Sequence, residues 1–186
     1  DRFRASHLAE LLHNHPGFSQ ISGTPLVVSM IGMMAQNDST YELPTSRIAF
    51  YKDLIHVLWT KSNNIELKDE WMLTLASYAR LARNVHWFDI PIGNTTVFQH
   101  FIKAGIIRKL PGFPRRYEFI HSTFHSYFRA FHAFTEIRND FESNIKQKAI
   151  DDGICALKRA TQNPVFYDEC SFFLCMLDEY RSNTEQ

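Results

Sequence analysis

His121 and His125 stand four residues apart, with Ser122, Thr123 and Phe124 between them. On a helix, that spacing is the one zinc proteins use to present two imidazoles on one face. The intervening residues include no glutamate to act as a base, and the rings share a face only if both histidines are helical. The period of the chain changes at this point. Tyr117, Phe119 and His121 alternate with Glu118 as in a strand, whereas Phe124, Tyr127, Phe128, Phe131 and Phe134 recur at three- and four-residue spacing. His121 is therefore expected where a strand hands over to a helix, with Ser122 or Thr123 supplying the capping oxygen. No metal is expected. The free amides and positive dipole end of a helix N-terminus favour an anion, so a histidine there can contact phosphate. The plainer alternative is a histidine satisfied by backbone at the helix start.

Other chemistry is missing. None of the seven glycines is followed by lysine, so no Gly-x-x-x-x-Gly-Lys-(Ser/Thr) loop can cradle a nucleotide's phosphates. No Ser-His-Asp or Cys-His constellation follows from spacing. The chain is not expected to hydrolyse nucleotide by itself, and no catalytic residue is assigned.

The elements that must position His121 are mostly helical. Residues 3–12 carry Phe3, Leu8, Leu11 and Leu12 at helical spacing, and Asn14-His15-Pro16-Gly17 stops them. Thr24-Pro25 reads as an N-cap followed by proline at the first helical position. The helix after it is apolar nearly all round, hence buried on several sides. After a polar loop, Ile48, Tyr51, Ile55 and Leu58 share a helical face, and Ser62-Asn63-Asn64 breaks the chain. Residues 67–83 are helical again with Trp71, Leu75, Tyr78 and Leu81 inward, and a loop follows to Pro91 and Gly93-Asn94. A helix over 95–104 buries Val97, Phe98, Phe101 and Ile102, and Gly105 takes the left-handed conformation that closes it. Residues 106–110, a turn at Pro111-Gly112-Phe113-Pro114, and residues 115–121 form a β-hairpin. Phe141, Ile145, Ile154 and Leu157 suggest one more helix, and Asn163-Pro164 caps a last one carrying Phe166, Phe172, Phe173, Met176, Leu177 and Tyr180.

Three stretches in this order resemble one family. The NACHT-type nucleotide-binding proteins, signal-transducing P-loop NTPases of innate immunity and bacterial defence, end their winged-helix part on Phe-x-His-x-(Ser/Thr), an aromatic or aliphatic residue, then Gln-Glu-(Phe/Tyr)-x-Ala-Ala. Phe119, His121, Thr123, Phe124, Tyr127 and Ala130 match, while His125, Ser126 and Arg129 stand where the family usually has Gln, Glu and Ala. Residues 17–26 resemble the family's Gly-x-Pro or Asn-Pro-Leu-Leu region, whose proline lies against the bound adenine nucleotide. Pro25 is the matching residue, and on pattern alone it merely starts a core helix. Leu43, Pro44, Ser46, Arg47, Phe50, Tyr51 and Leu54 resemble the Leu-Pro-x-(Ser/Thr)-Arg-x-x-(Leu/Phe)-Tyr-x-x-(Phe/Leu) helix that comes next.

The resemblance implies a mainly α architecture: a helical domain over 1–64, a winged-helix domain with one small β-hairpin over 65–134, and the start of a further helical domain over 135–186. It implies ADP or ATP as cofactor, contacted by Pro25 and His121, with Mg held by a nucleotide-binding domain upstream in the same protein. In such proteins ADP holds that domain against the winged helix, and exchange for ATP allows oligomerisation into a signalling assembly. The partners implied are the upstream nucleotide-binding domain and further copies of the protein.

Two other functions compete. A winged-helix nucleic-acid-binding regulator is suggested by Arg108, Lys109, Arg115 and Arg116 on the hairpin, against only Glu118. Its recognition helix would be residues 95–104, whose one Lys or Arg is Lys103 and whose four large apolar residues suit a core, so a solvated basic hairpin is the plainer reading. The third is a helical protein-interaction module without ligand.

Composition is neutral between these readings. Lys plus Arg equals Asp plus Glu at 20 each, which gives no global pull towards nucleic acid or an anionic membrane. Apolar residues at 45%, with sixteen Phe, argue for a packed core. Cys155, Cys170 and Cys175 fall at no metal spacing and fit a reducing compartment, so a cytoplasmic location is expected. The longest apolar run, 26–35, is far short of the roughly 20 residues of a membrane span, and no signal peptide is read. A start at Asp1 that leads directly into helical pattern suggests a piece of something larger.

Overall fold

The structure, a computed structural model, describes residues 25–37, 42–44, 46–63, 65–82, 87–89, 95–112, 115–142 and 167–184. It is mainly helical with a small antiparallel sheet: α1 (Pro25–Asn37), α2 (Arg47–Ser62), α3 (Asp69–Leu81), β1 (Trp87–Asp89), α4 (Thr95–Lys103), β2 (Ile107–Lys109), β3 (Arg116–Phe119), α5 (Ser122–Glu142) and α6 (Tyr167–Thr184). The helices expected over 3–12 and around 145–157 lie outside the described residues, as do Thr24, Asn163 and Pro164. The chain divides into two compact units, Asp1–Val57 and Leu58–Gln186, and the division falls inside α2.

In the first unit, α1 begins at Pro25, where a missing amide donor costs nothing. It buries a stripe of Val27, Met30, Ile31 and Met34, at the i, i+3, i+4, i+7 positions, while Val28 is 40% exposed. The expectation of burial on several sides is thereby corrected at Val28. Ser46 caps α2, its Oγ accepting the Ala49 amide hydrogen at 3.1 Å. Ile48, Tyr51 and Ile55 are buried as the spacing predicts, and Phe50 and Leu54 join them.

The second unit is built around aromatic rings. β3 is the middle strand of a three-stranded sheet ordered β1-β3-β2, with Phe88 opposite Tyr117 and Ile107 opposite Phe119. The sequence predicts only the β2–β3 hairpin. β1 falls in the stretch read as loop, because three residues between turn signals carry too little alternation to be seen. Tyr117 and Phe119 point into the core as the alternation requires, and Phe88 and Phe98 meet them there. Phe88 lies 5.5 Å from Phe119, and Phe98 packs edge-on against Tyr78 at 5.1 Å.

α4 ends as expected on Gly105, at φ +67°. The Gly105 amide donates to the Ile102 carbonyl at 2.9 Å and the Ile106 amide to that of Phe101 at 3.1 Å, the paired bonds of a Schellman ending. The chain is thus turned straight into β2. α3 turns most of the expected face inward: Leu75 is buried, Trp71 stacks on His100 and Tyr78 packs against Phe98. Leu81, also expected inward, is 72% exposed. Met72, Ala76 and Ala79 are buried as well, and α3 packs against α5.

α5 runs unbroken from Ser122 to Glu142 and includes Phe141. One face, with Phe128, meets Phe119 and Phe101. Another meets α6, where Tyr127 packs edge-on against Phe172 at 5.6 Å and Arg129 pairs with Glu169 at 3.3 Å. Cys170 in this contact is buried, and its thiol is pushed up to about 11, by burial first and then by Glu169, which makes it a poor nucleophile.

On the outer side of the α3–α5 contact, Arg80 Nη1 bonds Glu136 Oε1 at 2.8 Å, and His132 Nδ1 lies 3.4 Å from the other Glu136 oxygen. Burial holds His132 below the usual histidine value of 6.5; Glu136 opposes that shift and Arg80 adds to it. A base with a depressed folded pKa binds fewer protons than in the unfolded chain. Its contribution to stability is therefore present above the ordinary value and lost as pH falls through the lower one. Denaturation midpoints measured between about pH 5 and pH 8 should rise with pH more steeply for wild type than for His132→Gln. Parallel curves would show that His132 titrates alike in both states.

Candidate functional site

β3 ends at Phe119, α5 starts at Ser122, and His121 occupies the turn between them. Two backbone bonds fix this turn. The Ile120 amide donates to the Ile106 carbonyl at 3.1 Å, extending the β2–β3 pairing by one step, and the Phe124 amide donates to the His121 carbonyl at 3.2 Å, opening the helix. Strand and helix therefore meet at the residue where the period of the sequence changes.

The cap differs from the one expected. Neither Ser122 nor Thr123 caps α5; His121 does so with its own ring. Nδ1 accepts the Thr123 amide hydrogen at 3.2 Å, and Thr123 Oγ1 lies 2.9 Å from the same nitrogen. The geometry follows from connectivity. Nδ1 is as many bonds from Cα as the side-chain oxygen of asparagine, one of the best N-cap residues, and reaches the same orphan amide. The backbone-satisfied reading of His121 is thus realised at Nδ1, while a half-buried ring remains at a helix N-terminus.

His125 goes elsewhere. It is buried at 5% exposure, lies against the Phe119 ring, and donates from Nε2 to the Ala79 carbonyl at 3.0 Å, satisfying a last-turn carbonyl of α3. One ring caps α5 and the other pins α3 to α5, so the two are not a ligand pair. Among the described residues no group of three or more His, Cys, Asp or Glu could hold a metal.

Two of the three departures from the Gln-Glu-(Phe/Tyr)-x-Ala pattern thereby acquire structural roles. His125 binds α3, and Arg129 binds α6. Pro25 is the first residue of α1, in the other compact unit. Each of the two sequence-assigned residues is described within its own unit.

The basic hairpin is partly neutralised. Arg108 bonds Glu118 directly across the β2–β3 ladder, and Arg116 Nε lies 3.3 Å from Asp89 on β1. Phe98 and Phe101 of α4, the helix that would enter a DNA groove, are fully buried. Any binding to duplex DNA should therefore be weak, indifferent to sequence and lost with added salt, as for a few phosphate contacts. A titration that found a sequence-specific complex at physiological salt would overturn this.

A second polar cluster escaped the sequence reading. Asn63, just beyond α2 and 7% exposed, donates from Nδ2 to the His100 carbonyl at 3.3 Å, and its Oδ1 lies 2.7 Å from His100 Nδ1. His100 is stacked on Trp71 with 4° between the planes, and Lys68 sits over the Trp71 ring. Trp59 Nε1 donates to the Ile65 carbonyl at 2.8 Å. The only signal was an asparagine at a helix end, which spacing reads as a break.

The chain matches no protein-family model, and no curated protein matches it. Among the described residues no helix is long and apolar enough to cross a membrane.

Proposed function

We propose that this chain is the nucleotide-dependent latch of a NACHT-type signal-transduction ATPase, acting in innate immunity or defence signalling. Its helical part and winged helix hold ADP against a nucleotide-binding domain elsewhere in the same cytoplasmic protein, and release on exchange for ATP permits oligomerisation. In this reading Pro25 lies against the adenine nucleotide, and His121 donates a hydrogen bond to its β-phosphate. The nucleotide-binding domain supplies the phosphate loop and Mg.

The observation that supports this reading most is the placement of His121, from the Phe-x-His-x-(Ser/Thr) stretch. It stands on the turn from the middle strand to the N-terminus of a 21-residue helix, where backbone amides and dipole favour an anion. A latch of this kind is a two-state element that a ligand biases by its differential affinity for the two states.

The reading is tested by the nucleotide content of the intact protein. Denaturing it after purification without added nucleotide should release ADP at a stoichiometry approaching one per chain. Absence of any bound nucleotide, together with no binding of added ADP or ATP, would sink the proposal and favour the protein-interaction reading.

A further inference from the structure

The two contacts to His121 Nδ1 determine more than the cap. An amide hydrogen directed at Nδ1 from 3.2 Å requires a lone pair there, because a proton on that nitrogen would face the hydrogen of Thr123. The Thr123 hydroxyl, 2.9 Å from the same nitrogen, then donates to it as well. A neutral imidazole with a bare Nδ1 carries its single proton on Nε2. We propose that Thr123 is a positioning residue, whose amide and hydroxyl together hold His121 in the Nε2–H tautomer and so make Nε2 a hydrogen-bond donor. A donor at Nε2 suits a phosphate oxygen. It cannot accept from a hydroxyl, and it cannot ligate a metal without losing its proton.

Thr123 is itself well placed to hold the ring. It is 9% exposed, so its side chain has little freedom, and it lies in the first turn of α5, one residue beyond the helix start. The hydroxyl and the amide approach from one residue and converge on one lone pair, so rotation of the ring about its Cβ–Cγ bond would break both contacts at once. Removing the hydroxyl leaves only the longer amide bond, which holds the ring less firmly and lets a share of it turn and exchange tautomers.

The tautomer assignment stands on this geometry, and its consequence for ligand binding rests on the latch reading. The experiment separates the two. The intact protein, labelled with nitrogen-15 in histidine, is observed by long-range proton–nitrogen correlation at about pH 7.5, where an unperturbed histidine is mostly neutral. The His121 signals are identified by their absence in His121→Asn. Wild type and Thr123→Ser should display the Nε2–H tautomer, and the isosteric Thr123→Val should display a mixture of both. An Nδ1–H pattern in wild type, or a Thr123→Val spectrum identical to wild type, would overturn the positioning role. In the same proteins, release of bound ADP should be about two- to tenfold faster for Thr123→Val, the value of one ordinary hydrogen bond, and restored in Thr123→Ser. Tautomers as expected with ADP release unchanged would overturn the phosphate contact and leave the positioning role intact.

Discussion

Replacing Trp59 by alanine should destabilise the second unit by about 3–5 kcal/mol, the range for removing a fully buried aromatic side chain whose site cannot collapse. Trp59 is 0% exposed and touches three rings: Phe101 at 5.2 Å, Trp71 at 5.5 Å and His100 at 5.7 Å. These come from two different helices, so no single rotamer change can fill the space. Total stabilities of about 5–15 kcal/mol make such a loss a large share of the whole. The indole hydrogen bond to Ile65 is a smaller part. An ordinary hydrogen bond contributes about 1 kcal/mol, and Trp59→Phe, which keeps a ring in the stack, should cost less than the alanine variant. Urea denaturation of the three proteins measures this. A Trp59→Ala midpoint equal to that of wild type would contradict the aromatic-core account.

His121 carries the second large effect, and its cap changes the choice of variant. Leucine at 121 removes the acceptor for the Thr123 amide, so His121→Leu should lower stability by about 1 kcal/mol as well as disturb any ligand. His121→Asn is cleaner. Asparagine keeps an acceptor at the Nδ1 position and is itself a preferred cap, while leaving nothing where Nε2 stood. It should melt like wild type. Hydrogen bonds to charged groups are worth about 1.5–3 kcal/mol, so ADP affinity should fall by roughly ten- to a hundredfold and the open, oligomer-prone population should grow. His121→Gln is the converse. Its amide reaches towards the Nε2 position and gives up the cap, so it should lose stability and retain part of the ADP affinity.

How much of this was legible in the sequence varies with the physics at each place. The turn at His121 was readable because alternation and helical spacing meet there, and both are imposed by burial of Tyr117, Phe119, Phe124 and Phe128 on the same core. Gly105 was readable because few residues other than glycine adopt its backbone angle. Leu81 was misread because it is the last residue of α3, where the spacing that brings Leu75 and Tyr78 onto the core no longer holds the side chain there. β1 was missed because three residues form a strand only when β3 is already there to pair with them. The imidazole cap was missed for a different reason. Ser122 and Thr123 are the stronger capping types by propensity, and only coordinates reveal that the ring one residue earlier takes the amide. The Asn63–His100 pair joins residues 37 positions apart, and no local pattern carries that information.

The latch account rests most directly on the rate at which ADP leaves the intact protein, compared between wild type and His121→Asn at matched melting temperature. The account predicts release accelerated by about ten- to a hundredfold in the variant, with the cap and the fold unchanged. Equal release rates from two equally stable proteins would contradict it, and would leave His121 as the N-cap of α5 and nothing more.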